Sequence, residues 1–503
     1  MSFEINGKVL NGYRNTNNEK CVQIPWGVTK INDAAFYEEP TIEKVIIPET
    51  VTCISWYAFE SCSSLKEIVI PKSVTQIFGC AFKNTPWFDE NKDEFFIVGD
   101  EILIAYNGKE KDIVIPDGTK QIGVFVFSRM KNIESVVIPD TLKVIQENAF
   151  SGCVSLKRIN IPNNIELIEW NAFSNCGCLE EITFPEKIGM INGEAFSGTQ
   201  WLINQQKKEW VIVANEHVLR YNGSDSHVVI PQGIVNISGY AFERCTTIES
   251  ITFPDTLKNI GGFAFSSCES LKEVTIPNSV TTLELGVFEN CPSLKSITFS
   301  DNIINIPIWT CRLCISLTEV NLPPKLISIE PDAFIKCTQL SSIVIPDSVH
   351  SFGSRIFAEC PSLKRITVLG MTLDCSHWDM NECNFHKLKF MIEKQDYEIN
   401  IPKDIIISCA VESFIKKHDR NSQRYIRSNA TEAIKQFIYS NNYEYVKYLF
   451  DYGGFVSKDN VDCLLNFAID NTQNGGDVAI QTFIMAYRAD NFPSTYNFDF
   501  LSL

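Results

Sequence analysis

Residues 48–70 read PETVTCISWYAFESCSSLKEIVI, and this stretch decides the fold because its pattern returns along the chain. Counted from Pro48 as position 0, apolar residues stand at +3, +6, +10, +11, +14, +17, +20 and +22. The last two flank an outward residue at +21, which is the alternation of a β-strand. A proline follows, as is tolerated at a strand end. The stretch therefore predicts one short strand and an irregular return segment that share an apolar inner face.

The pattern repeats with a period of 23 residues, marked by prolines that recur from Pro25 to Pro346. A single turn of this length cannot bury its apolar face alone, whereas stacked turns bury it continuously. The sequence therefore predicts a solenoid with a parallel β ladder. The most regular position is +11, which holds phenylalanine at Phe36, Phe59, Phe82, Phe127, Phe150, Phe173, Phe196, Phe242, Phe265, Phe288, Phe334 and Phe357.

Half of the 18 cysteines follow the same period. A cysteine at +14 of successive turns is best explained as a small, inward-facing apolar residue. Disulfides between turns would require favourable geometry, and one ligand type per turn does not surround a metal ion. The nine residues are Cys62, Cys153, Cys176, Cys245, Cys268, Cys291, Cys314, Cys337 and Cys360.

Two stretches, 85–116 and 199–231, interrupt the period in the same way. Each has a tryptophan, a polar turn, an apolar run and then Tyr-Asn-Gly, at 106–108 and 221–223. Because Asn-Gly between apolar strands is a hairpin signal, we expect the hairpin turns at these dipeptides. Each hairpin would replace half of a turn. The alternative is that the hairpins are binding protrusions. A related unit at 9–13 is expected to cover the first turn.

The repeat resembles a known family. Residues 65–70 fit the LxxLxL core of leucine-rich repeats, and the pattern IxIPxxVxxIxxxAFxxCxxL is similar to the BspA-like leucine-rich repeat family over residues 20–369. The resemblance implies an α/β repeat protein: a right-handed solenoid, curved so that its strands line one face. It also implies a role in protein binding or adhesion, and it transfers no catalytic residue.

The period stops after Leu369, and apolar residues spaced by three and four predict a small all-α C-terminal domain. Residues 442–453 are similar to the second helix of an ankyrin repeat, but the usual TPLH opening is absent, and a small helical bundle is the alternative. The predicted domains are 1–24, an N-terminal β cap; 25–369, the solenoid; 370–402, a connector or C-terminal cap; and 403–503, the helical domain.

The outward positions of the strands are the candidate binding residues. They vary from turn to turn on a rigid ladder, which suits recognition of a protein partner because little conformational freedom is lost on binding. Alternatively, the same residues serve β-strand formation alone. The candidates are Glu67, Val69, Arg158, Asn160, Glu181, Thr183, Thr252, Glu273, Thr275, Thr298, Glu319, Asn321, Arg365 and Thr367.

Composition excludes several functions. A net charge of −17 argues against nucleic acid as a partner, and no apolar run is long enough to insert into a membrane. No signal peptide is visible, so we expect a cytoplasmic scaffold; the alternative is an adhesin that reaches the surface by a non-standard route. No nucleophile motif or phosphate loop occurs, so we expect no enzyme activity and no cofactor. The six histidines are expected at the surface.

One short segment contains four possible metal ligands. Cys375, His377, Cys383 and His386 lie within twelve residues, as in a small zinc knuckle. The first Cys-x-His spacing is too tight for common structural zinc sites. We therefore expect a capping loop without a metal.

Overall fold

A computed structural model describes residues 2–375, 378, 384–398, 400–452 and 454–492. Its strands are β1 (Ser2–Asn6), β2 (Val9–Arg14), β3 (Cys21–Gln23), β4 (Lys30–Ile31), β5 (Lys44–Ile46), β6 (Cys53–Ile54), β7 (Glu67–Val69), β8 (Gln76–Ile77), β9 (Phe95–Val98), β10 (Ile102–Tyr106), β11 (Asp112–Val114), β12 (Gln121–Ile122), β13 (Ser135–Val137), β14 (Val144–Ile145), β15 (Arg158–Asn160), β16 (Leu167–Ile168), β17 (Glu181–Thr183), β18 (Met190–Ile191), β19 (Trp210–Val213), β20 (His217–Tyr221), β21 (His227–Val229), β22 (Asn236–Ile237), β23 (Ser250–Thr252), β24 (Asn259–Ile260), β25 (Glu273–Thr275), β26 (Thr282–Leu283), β27 (Ser296–Thr298), β28 (Asn305–Ile306), β29 (Glu319–Asn321), β30 (Ser328–Ile329), β31 (Ser342–Ile345), β32 (Ser351–Phe352), β33 (Arg365–Val368) and β34 (Met371–Asp374). The helices are α1 (Pro86–Asp89), α2 (Gln200–Asn204), α3 (Phe385–Lys394), α4 (Lys403–Lys417), α5 (Arg420–Ser428), α6 (Ala430–Tyr439), α7 (Tyr443–Asp451), α8 (Lys458–Gln473) and α9 (Val478–Asn491).

Two units divide the chain. The first comprises 1–224, 230–243 and 256–265, and the second comprises 225–229, 244–255 and 266–503. A regular turn has a longer strand at +19 to +21, as predicted, and a second strand of two residues at +5 and +6. Both strand types pair in parallel with the corresponding strand of the next turn. Residues that are 23 positions apart in the sequence are therefore paired in the ladder.

In the first unit, the longer strands form the sheets β3-β5-β7 and β11-β13-β15-β17. The sheets of short strands each begin at an antiparallel hairpin: β1-β2, β9-β10 or β19-β20. The second strand of each hairpin pairs in parallel with the short strand of the following turn. The two predicted hairpin units are therefore present, and the N-terminal hairpin has the same arrangement of strands.

In the second unit, the longer strands form the sheets β21-β23-β25-β27-β29 and β31-β33-β34, and short strands form β28-β30-β32. The antiparallel strand β34 ends its ladder, and helices α3 and α4 contact β32 and β34. Helices α6 to α9 then pack on one another. The predicted α/β repeat fold with a helical C-terminal region is confirmed.

Each regular turn contains two residues in the left-handed backbone region, at +9 and +13. In the turn that begins at Pro48 these are Tyr57 (φ 58°) and Ser61 (φ 61°). Between them the chain turns tightly, and the N–H at +11 donates to the carbonyl at +10 of the next turn, as Phe59 does to Ala81 at 2.7 Å. The sequence did not predict this conformation because non-glycine residues, which rarely adopt it, fill most of these positions.

The +11 phenylalanines stack along the core. The ring centroids of Phe127 and Phe150 are 4.8 Å apart, and those of Phe150 and Phe173 are 5.1 Å apart. A hairpin tyrosine begins this stack, with Tyr106 at 5.2 Å from Phe127, and Trp201 ends it beside Phe196. The stack that precedes it runs in the same way from Tyr13 to Trp87.

The expected position of the hairpin turns was wrong. The chain reverses at 99–101 and 214–216, whereas Tyr-Asn-Gly follows the second strand of each hairpin. The Asn-Gly pair instead leaves room for the ring of the preceding tyrosine. A Cβ on Gly108 would lie 2.7 Å from Cε2 of Tyr106, so that only glycine leaves room for the ring. Asn107 fixes the exit of the strand, since its Nδ2 donates to Asp93 O at 3.0 Å.

The cysteines at +14 face inward as predicted: eight are buried and Cys245 is half-buried. The Sγ–H groups of Cys62 and Cys176 donate to the carbonyl at +11 of the preceding turn, Cys62 to Phe36 O at 3.0 Å and Cys176 to Phe150 O at 3.1 Å. Burial raises the pKa of Cys62 to about 12, so the thiol keeps its proton at neutral pH. Within the described parts of the chain, every cysteine is a thiol and not half of a disulfide.

Candidate protein-binding face

Twelve of the fourteen predicted residues are exposed on the longer strands; Thr298 and Thr367 are half-buried. Their side chains alternate with a buried or half-buried residue at the middle position of the strand, such as buried Ile159 in β15 and half-buried Ile182 in β17. The pleat thus places the +19 and +21 residues on one side of each ladder.

In the first unit, the structure brings together four of these residues. Arg158 pairs in register with Glu181, and Asn160 pairs with Thr183. The remaining two, Glu67 and Val69, lie on β7, at the end of another sheet. The hairpin β9-β10 follows β7 and separates the two sheets along the chain, so that these candidates do not form one continuous patch.

The second unit carries the longest run. Thr252, Glu273, Thr275, Thr298, Glu319 and Asn321 occupy β23, β25, β27 and β29, which form one sheet. Asn321 Nδ2 donates to Thr298 Oγ1 at 3.1 Å and to Glu319 Oε1 at 3.0 Å, which orders one end of the run. Arg365 and Thr367 lie on β33, where the Oγ1 atoms of Thr367 and Thr372 are 3.0 Å apart.

Charged pairs connect neighbouring turns along the edge of the ladders. Glu134 contacts Lys157 at 2.6 Å and Lys111 at 3.1 Å, and both lysines lower the pKa of this carboxyl group. Lys272 and Glu249 form the same contact at 2.6 Å. These pairs are exposed, so each adds little stability. Sequence reasoning missed them, although opposite charges exactly one period apart, 23 residues, are a readable signal.

Sequence reasoning also missed the exposed +21 valines of β11 and β21, Val114 and Val229, in the strands that directly follow a hairpin. Val114 is 66% exposed and pairs in register with Val137, which is 51% exposed. Val229 in β21 is 65% exposed. Counting the period backwards from the next proline would have found them. They add an apolar element to the strand face.

The cysteine and histidine cluster is only partly within the described residues, because His377 and Cys383 lie outside them. Cys375 is buried, and its Sγ lies 3.6 Å from Leu363 O. His386 Nε2 lies 3.0 Å from Phe352 O and 3.1 Å from Phe352 N. Within the described ranges, no three potential metal ligands converge.

One histidine is not at the surface, contrary to expectation. His217 in β20 is fully buried, with Nε2 at 3.1 Å from both Ile188 O and Asn236 Nδ2. Burial lowers the pKa of His217, with Glu216 at 3.8 Å acting in the opposite direction. An enclosed, neutral imidazole of this kind is a packing residue without access to a substrate.

No helix in the described parts of the chain combines the length and apolar character needed to span a bilayer. A model of the BspA type leucine rich repeat region matches residues 11–90, 105–211, 215–340 and 310–392, with six copies. No curated protein sequence matches the chain.

Two bacterial proteins are among the crystal structures that are similar to this chain. One is a leucine-rich repeat protein from Bacteroides ovatus, 26% identical over 73% of this chain and 92% of that chain, with a TM-score of 0.27. The other is a leucine rich cell surface protein from Faecalibacterium prausnitzii, 27% identical over 73% of this chain and 93% of that chain, with a TM-score of 0.28.

Proposed function

Because the chain belongs to the BspA-type leucine-rich repeat family, we propose that it is a non-catalytic scaffold that binds a protein partner through its exposed strand residues. Leucine-rich repeat proteins are typically interaction or surface proteins and are generally non-catalytic. The observation that carries the proposal is the run on β23, β25, β27 and β29, where six candidate side chains follow one ladder.

The chemistry of this run favours a protein partner with basic groups. Glu273 and Glu319 stand two strands apart, with Ser296 between them in register, so two carboxylates are presented on a backbone that is already ordered. Thr275 and Thr298, in the neighbouring row of the same strands, supply hydroxyl and methyl groups. A preordered surface loses little entropy on binding.

The test is a double charge reversal, Glu273→Lys with Glu319→Lys, in the full chain. We expect binding of the partner captured from the source organism to weaken at least tenfold, because two central charges now repel the basic groups. The matched control is Asp255→Lys with Glu269→Lys, which changes the net charge equally at exposed positions outside the strands. Equal loss in both variants, or no loss in the first, would contradict the proposal.

We further propose the cytoplasm as the compartment, in contrast to an exported adhesin. The buried thiols support this, because they act as protonated donors to carbonyl groups. Thiols are alkylated at the moment of lysis, before and after unfolding, and mapped by mass spectrometry. We expect Cys62, Cys176 and the other +14 cysteines to be free, and to react only after unfolding. Disulfides among these cysteines at lysis would contradict the cytoplasmic assignment.

A further inference from the structure

A cavity of about 250 Å³ lies beside the hairpin β9-β10 in the first unit. Its walls are mostly apolar and include the rings of Phe78, Phe88 and Phe125, together with Val124 and Ala105. Phe125 is 43% exposed, so the cavity is accessible from solvent. None of these residues belongs to the strand face proposed above.

The cavity lies beside a hairpin unit that is shorter than a regular turn. Leu103 pairs in register with Ile122, and Ile113 pairs with Val136. From Leu103 to Ile113 the chain advances ten positions, whereas from Ile122 to Val136 it advances fourteen. Four residues of the tight turning segment are therefore missing, and the cavity lies where that segment would pass between its neighbours.

The missing segment leaves backbone groups without partners. In regular turns the +11 N–H donates to the +10 carbonyl of the next turn, as from Phe127 to Ala149 at 2.8 Å. Among the described residues, the N–H of Phe82 has no acceptor and the carbonyl of Val126 receives no N–H. Both residues line the cavity and are buried, and unpaired buried backbone groups are costly.

The second hairpin unit offers an internal comparison, because it is shortened by the same four residues: Val218 pairs with Ile237, and Val228 pairs with Ile251. There, among the described residues, the N–H of Phe196 likewise has no acceptor, but the N–H of Tyr221 donates to Ala241 O at 2.9 Å and the corresponding cavity is only about 40 Å³. Two substitutions accompany the difference. Arg220 stands where the first hairpin has Ala105, and Gly239 stands where it has Val124. A Cβ on Gly239 would lie 2.7 Å from the Cα of Gly193, so glycine lets these backbones approach closely.

We propose that the cavity beside the first hairpin binds an extended segment of a partner protein, about four residues long, with aromatic side chains. The segment completes the shortened turn: one of its carbonyls accepts from Phe82 N–H, and one of its N–H groups donates to Val126 O. Binding by addition of backbone to an open ladder is an established mode of peptide recognition. A purely apolar small molecule would fill the volume but leave both backbone groups unpaired.

The probe is a labelled, acetylated and amidated tetrapeptide Ser-Trp-Tyr-Ala, which copies residues 55–58 of this chain. These residues occupy +7 to +10 of a regular turn, and the ring centroid of Trp56 lies 6.0 Å from that of Phe78, a wall of the cavity. With the full-length protein we expect saturable binding by fluorescence anisotropy, with a dissociation constant below roughly 1 mM. Failure to bind in this range would overturn the proposal.

The site is tested with Ala105→Arg, which places the side chain of the second hairpin in the cavity. We expect at least tenfold weaker binding, and severalfold weaker binding for Phe125→Ala, which removes one wall but no buried group. The control Ala486→Arg on the exposed side of α9 adds the same side chain elsewhere. Circular dichroism checks that each variant is folded. Unchanged binding by both cavity variants would refute the location.

Backbone pairing is tested with the peptide itself. The peptide copies +7 to +10, so its C-terminal amide takes the place of the +11 N–H that would donate to Val126 O. Methylation of this amide to the dimethylamide removes the donor, and we expect at least roughly tenfold weaker binding. Equal affinity of the methylated peptide would show apolar filling alone and overturn the proposed pairing. The Glu273→Lys, Glu319→Lys variant is expected to bind the peptide normally, so failure of this site and failure of the strand face are distinguishable.

Discussion

Replacement of Phe150 by alanine is expected to lower the free energy of unfolding by about 3–5 kcal/mol. The side chain is fully buried, and its ring stacks between those of Phe127 and Phe173, with centroids 4.8 and 5.1 Å away. Its neighbours belong to adjacent turns held in a fixed register, so they cannot move together to fill the space. Urea unfolding followed by circular dichroism and tryptophan fluorescence measures the change.

The matched control is Phe390→Ala in α3, where the ring is 47% exposed. We expect a change below about 1 kcal/mol there, because little apolar surface returns to water. A similar loss of stability in both variants would mean that the phenylalanine stack has no special role. A loss below about 1 kcal/mol for Phe150→Ala would mean that the turns relax around the cavity.

The second large effect is expected for Gly189→Ala. A Cβ at Gly189 would lie 2.5 Å from the carbonyl carbon of Glu166, in the backbone of the neighbouring turn. That carbonyl oxygen accepts the N–H of Met190 at 2.9 Å, so relief of the clash breaks a hydrogen bond between turns. We expect a loss of about 3 kcal/mol in the same urea experiment.

Gly177→Ala is the control, because nothing lies within 4 Å of a Cβ at that position. It is expected to be neutral or slightly stabilising, since alanine restricts the unfolded chain more than glycine. If Gly189→Ala is as mild as Gly177→Ala, the close approach of the two turns is not a constraint on the fold.

Much of the fold was predictable because one period controls it. The apolar positions of a single turn predicted the inward middle residue of the longer strands, which is buried in most of them, the phenylalanine stack and the inward thiols of Cys62 and Cys176. These features depend only on which residues face inward, and that information is local. The same counting placed the candidate face residues on strands, whereas their role in binding stays a prediction.

What the sequence did not predict depends on contacts between turns. Tyr57 and Ser61 carry no sign of a left-handed backbone, because hydrogen bonds to the next turn impose it. Asn107-Gly108 has the composition of a hairpin turn, but the ring of Tyr106 determines its use. The cavity could not be predicted, because it lies where a regular turn has residues that the hairpin unit lacks. Only the pairing register of the strands shows that four residues are missing.

The position of the hairpins has a mechanical consequence. In the first unit, the buried core divides at β10, since Ile102 belongs to the cluster that begins at Leu10 and Leu103 to the cluster that ends at Val213. A chain pulled from its N-terminus would then unfold one core cluster at a time rather than one turn at a time. Loss of the first cluster would release about 90 residues, or roughly 300 Å of contour length. The two core clusters, whose aromatic stacks begin at Tyr13 and Tyr106, are therefore expected to unfold separately under force.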